Sequence, residues 1–139
     1  MTFADERKAI ESRLSSNWTT TTIQFENVPF KKPDNNTYIA MFILNGSAEQ
    51  IDMSGSATTD KHRHIGNIII QIFVPADTGT NTARSYADSL ATIFRAVQFS
   101  AGSSGTILCR TPTITRVGVS EGILQTNLDI PFQRDVTYS

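Results

Sequence analysis

The sequence holds a single cysteine, Cys109, among 139 residues. One thiol cannot close an internal bridge, so a disulfide scaffold is excluded and a reducing compartment is expected. Long apolar runs are missing too. Ile68 to Val74 is broken by Gln71 and stops at Pro75, and Tyr38 to Leu44 stops at Asn45, both far short of the ~20 residues of a helical membrane span. Neither charge is in excess: twelve Lys and Arg stand against thirteen Asp and Glu, which argues against a general nucleic-acid binder. No apolar secretory leader is expected, because Asp5, Glu6, Arg7 and Lys8 occupy its place. These absences imply a soluble, intracellular protein with one domain over residues 1–139. A chain of this length can bury roughly two thirds of its unfolded surface without staples or metal.

Catalytic patterns are equally thin. There is no Gly-x-Ser-x-Gly elbow, no Walker A loop and no dinucleotide fingerprint, since the glycines at 102, 105, 118 and 122 lack a strand–turn–helix setting. "DTGT" at 77–80 has the form of an aspartic-protease motif, yet it precedes a helix directly and has no second half; helix capping explains it better. Two histidines, His62 and His64, share one face of an extended chain, but no third ligand lies near them and Cys109 is far away. No metal or cofactor is expected. A small α+β enzyme or ligand-binding module, with a pocket near His62, His64 and Asp77, is the competing reading.

What is present is mostly strand pattern. Phe3 to Ser15 carries Phe3, Ile10 and Leu14 on a narrow apolar stripe, with Trp18 just beyond, the mark of a short amphipathic helix. Thr2 is its candidate cap, with Asp5 three residues on. Ile23 and Phe25 alternate with polar residues, until "FENVPFKKP" (25–33) interrupts. Proline cannot donate to a ladder, so this strand must leave the sheet or follow its edge.

Tyr38 to Leu44 is apolar on both faces, as is Ile65 to Val74, so both are expected as central strands covered on two sides. Between them, Asn45–Gly46 is a turn signal, Ala48 to Met53 a weaker strand, and "SGSATTDKH" (54–62) an exposed loop. Thr82 to Phe99 reads as the main helix, with Ala83, Tyr86, Ala87, Leu90, Ile93, Phe94 and Val97 at helical spacing. After "SAGSSG" (100–105) come Thr106 to Arg110, Thr113 to Val119 and Ile123 to Phe132. The last places Leu124, Thr126, Leu128, Ile130 and Phe132 on one side, and Gln125, Asn127 and Asp129 on the other. Runs of strands rather than strict alternation imply an α+β fold, a mainly antiparallel sheet flanked by two helices. The central strands want more apolar cover than one broad helix supplies. Either the first helix covers the second face, or another subunit does.

The order and spacing of these segments resemble the tail terminator (tail completion, head–tail joining) proteins of tailed bacteriophages. The resemblance rests on the helix ending near Trp18, "IQFENVPF" (23–30), "GNIIIQIFVPADTGT" (66–80), "ARSYADSLATIF" (83–94) and "EGILQTNLDIPF" (121–132), and so spans nearly the whole chain. It implies a binding protein without catalysis: a subunit of a homo-hexameric ring on the end of the tail tube. That ring would stop tail growth and offer a surface to the head–tail connector protein. Its partners would be the tube protein and the connector, with no membrane and no sequence-specific nucleic acid, although the genome would pass through the lumen. Its place would be the virion neck, after assembly in the host bacterial cytoplasm. A connector or tube subunit is the alternative within this class. On this reading Phe30, Lys31 and Lys32 dock against the sheet or an adjacent subunit. The segment Ser54 to His64, with Lys61, His62, Arg63 and His64, would lie at a ring face or lumen and order against the tube or a neighbour.

Overall fold

The computed structural model describes residues 2–26, 28–31, 33, 37–50, 61–76, 81–101, 105–120 and 122–137. Two long strands form its spine. β3 (Lys61–Pro75) and β7 (Ile123–Thr137) run antiparallel over their full length. β2 (Tyr38–Gln50) pairs antiparallel with the other side of β3, and the short β1 (Thr22–Phe25) adds a parallel edge to β2. Beyond β7, β6 (Thr113–Ser120) pairs with its first half and β5 (Thr106–Cys109) with its second, while β4 (Gln98–Ser100) pairs with β5. The sheet is mainly antiparallel and the fold α+β, as its element pattern implied.

β1 ends at Phe25 on the sheet edge, where the prolines that follow it require. The Asn45–Gly46 turn signal is instead a β-bulge between Asn45 and Ala48, so the two expected strands are one. The close approach of Gly66 has a clear cause: a Cβ there would sit 2.8 Å from the Phe132 ring and 2.7 Å from the Leu44 carbonyl oxygen. Lys61 and His62, expected in a loop, begin β3. They do so because β7 continues past Phe132 to Thr137 and supplies them with ladder partners.

Helix α1 spans Thr2–Asn17 and α2 spans Asn81–Phe94. The main helix is thus shorter than its apolar spacing suggested. Ala96 turns the chain at φ 49°, and the Val97 carbonyl accepts from the Cys109 amide at 2.8 Å, which draws the chain into β4. The expected caps at 77–80 lie outside the described residues.

Both helices lie on one face of the sheet. Ile10, Leu14 and Trp18 of α1 join Ala83, Ala87, Leu90 and Phe94 of α2 over Ile39, Met41, Ile68, Ile70, Ile72, Leu128 and Ile130. The Trp18 and Tyr86 rings meet edge to face at 5.5 Å, and Arg13 donates to the Ile93 carbonyl at 2.8 Å. The first helix therefore does not cover the second face. On that face Tyr38, Phe42, Ile69 and Phe73 are half-buried by their cross-strand neighbours, and Leu44 is exposed. Of the two expected sources of cover for this face, the first helix is thereby excluded.

Candidate interaction surfaces

The "FENVPFKKP" stretch turns back onto its own sheet. The Val28 amide donates to the Phe25 carbonyl at 3.3 Å, closing a turn after β1. The Phe30 ring then lies 5.2 Å from Tyr38, whose ring stacks on Phe73 at 4.7 Å. Three aromatics thus cap one corner of the helix-free face. Geometries of this kind stabilise by about 0.5–1.5 kcal/mol per pair beyond the area they bury. Lys31 is exposed, and Lys32 lies outside the described residues.

The basic cluster at the start of β3 divides by strand alternation. Arg63 points to the helix-free face and grips Asp135 with two hydrogen bonds of 2.9 and 3.1 Å. His62 and His64 share the helix-covered face, as their spacing required. His64 is buried there, opposite Arg134 in the β3–β7 ladder and edge-on to Phe3 at 5.3 Å. Burial chiefly, and then the neighbouring Arg134 charge, lower its pKa below the usual 6.5, with Glu6 opposing. Lys61 lies in the strand. Of the segment 54–64, residues 54–60 lie outside the described part.

One functional-looking pair escaped the reading of the sequence. Arg134 is fully buried and donates from Nε to Glu6 Oε1 at 3.1 Å, while Asn45 Nδ2 donates to Glu6 Oε2 at 2.9 Å. The Arg134 guanidinium also sits 5.8 Å above the Phe3 ring. This cluster ties the first turns of α1 to β2 and β7. The signal was present in the spacing. Glu6 falls on the 6–10–14–18 stripe of α1, and Arg134 continues the buried alternation of β7 two residues past Phe132.

Cys109 is buried and its thiol pKa is pushed up to about 12 by burial, with Arg13 opposing. A thiol so rarely ionised is an inert packing group. Among the described residues no group of three His, Cys, Asp or Glu is placed to hold a metal ion, and no helix is long and apolar enough to cross a membrane.

Two lateral surfaces remain. Beyond the end of β1, a groove of about 590 Å³ opens between α1 and the edge of β2, with Phe3, Val28, Met41 and Ile43 among its lining. At the opposite edge, β6 exposes Ile114, Val117 and Val119. Such features suit contact between proteins better than the binding of a small substrate.

The model of one family, described as "Phage tail terminator protein", matches residues 7–130. The chain belongs to the phage tail terminator family. Its role at the level the family establishes is that of a structural protein of the phage tail. No curated protein matches the sequence. A solved structure with 18% identity covers 100% of this chain and 98% of its own, with a TM-score of 0.74. At that identity the likeness concerns the fold alone. It shows that the terminator chain folds as a whole like a known domain.

Proposed function

We propose that this terminator assembles as a homo-hexameric ring on the last layer of the tail tube. There it ends polymerisation and presents the surface that the head–tail connector binds. The role is one of binding, without catalysis, in the neck of the virion after assembly in the host cytoplasm. The observation that carries the reading is the one-sided placement of the helices. Among the described residues it leaves a whole sheet face, and both lateral edges, without helical cover. A ring uses such surfaces fully, since each subunit meets two neighbours laterally and a tube or connector axially. On the helix-free face, the Gln125–Asn127 and Asn67–Asp129 side-chain bonds form a polar ladder suited to a wet protein contact.

Deletion of the gene in its parent phage tests the role. Electron microscopy should then show tails of abnormal, heterogeneous length that fail to join heads. Tails of normal length on intact, infectious particles would sink the proposal.

A further inference from the structure

The two lateral surfaces fit one another. In the half of the sheet that contains β6, the strand order is β1–β2–β3–β7–β6. β1 pairs only with Tyr38 to Met41, so from Phe42 onward the outer edge of β2 has no strand partner among the described residues. The groove lies along this open edge, and its rim holds Phe3 and Val28, 52% and 53% exposed. At the far end, the outer edge of β6 is likewise unpaired among the described residues. Val117 and Val119 there are 55% and 58% exposed. Apolar β-branched residues on an open edge strand are an aggregation hazard unless something covers them.

Within one copy the open edges of β2 and β6 stand on opposite sides of the sheet, three strand spacings or roughly 14 Å apart. Neither can cover the other without a second molecule. Their charges are opposite in sign. Of the acids that line the groove, Glu6 is held by Arg134 and Glu11 by Arg7, which leaves the exposed Glu26 to set its sign. Beside β6, Arg84 and Arg95 flank a shallow depression with one acid, Asp88, and Arg116 lies exposed on the strand itself.

We infer that β6 of one copy docks in the α1–β2 groove of the next. Val117 and Val119 cover the Phe3–Val28 rim, and Arg116 faces Glu26. The occupant is a second copy of this chain, because the two patches match in apolar character and in charge, and their placement makes a head-to-tail contact that repeats. This inference rests on the ring reading above and names the surfaces that close it.

The test uses the full chain. Light scattering after size exclusion should give an oligomer for the wild type, and a monomer with an unchanged melting temperature for V117D combined with V119D. Arg116→Glu should weaken assembly at least about tenfold, and adding Glu26→Arg should restore it. A mixture of V28C and V119C chains should form a disulfide between copies that neither variant forms with the wild type. Normal assembly of the aspartate variant would overturn this pairing and leave the ring reading standing. So would a charge exchange that fails to restore assembly, which would assign β6 to another partner such as the tube protein. A wild type that never assembles, alone or on tubes, removes the ring reading and the pairing together.

Discussion

The two faces of the β3–β7 ladder come from the same residues read at odd and even positions, yet they do different work. On the helix-covered face Ile68, Ile70, Ile72, Val74, Ile130 and Phe132 are essentially inaccessible. On the other, Asn67, Ile69, Gln71, Phe73, Gln125, Asn127 and Asp129 are half-buried, and Asn67 donates to Asp129 and Gln125 to Asn127 through their side chains. One face holds the fold together. The other stays partly wet, although Ile69 and Phe73 are as apolar as their neighbours. The contrast teaches that apolar content on a strand does not by itself report cover. In a long sheet, cross-strand packing alone half-buries a side chain.

The sharpest break in the comparison lies where the covered face ceases to be apolar. Arg134 and Glu6 are both buried, and truncating Arg134 leaves the Glu6 carboxylate buried without its ion partner. Arg134→Ala should lower stability by about 3–5 kcal/mol. Replacing both partners with well-packed apolar residues, as in Glu6→Leu with Arg134→Met, should recover most of that loss. Urea unfolding of the three proteins measures it. A loss below about 1 kcal/mol for Arg134→Ala would mean that the pair is not sealed from water.

A second pair of variants weighs one face against the other. Ile70→Ala opens a cavity under the helices and should cost about 2–5 kcal/mol. Phe30→Ala removes one ring from the aromatic stack with Tyr38 and Phe73 on the open face, and should cost about 1 kcal/mol. Equal losses would make the Phe30 corner a second core rather than a surface cap.

The fold was legible because period-2 alternation in Tyr38–Leu44, Ile65–Val74 and Ile123–Phe132 is strong, and because prolines placed the edge at Phe25. What the sequence hid has physical causes. Apolar spacing continues through Val97 and Phe99, so nothing local announces the left-handed Ala96 that ends α2. The ends of β2, β3 and β7 are polar, and they become strands only because each supplies the others' hydrogen bonds. The basic cluster was seen as a unit, whereas alternation sends Arg63 to Asp135 and His64 to the Arg134–Glu6 side. Glu6 was the hardest to find. A carboxylate on an apolar stripe looks like a flaw until its partner, 128 residues away, is placed against it.

His64 gives the smallest of these effects and the finest probe of the covered face. Its folded pKa lies below 6.5, first because it is buried and then because Arg134 stands beside it; His62 adds to the lowering and Glu6 opposes it. Phe3 closes the site from the α1 side without charge. Between the folded value and 6.5, the unfolded chain binds the proton and the native chain does not. His64 therefore contributes stability that is fully present above about pH 6.5 and is lost as pH falls through the folded value. Melting temperature should decline on acidification from about pH 7 to about pH 5, and His64→Gln should flatten that decline. Carboxylates that titrate lower will steepen the curve in both proteins alike, so the difference between the two isolates the histidine. Superimposable pH profiles would place His64 in water, and with it the N-terminal end of α1.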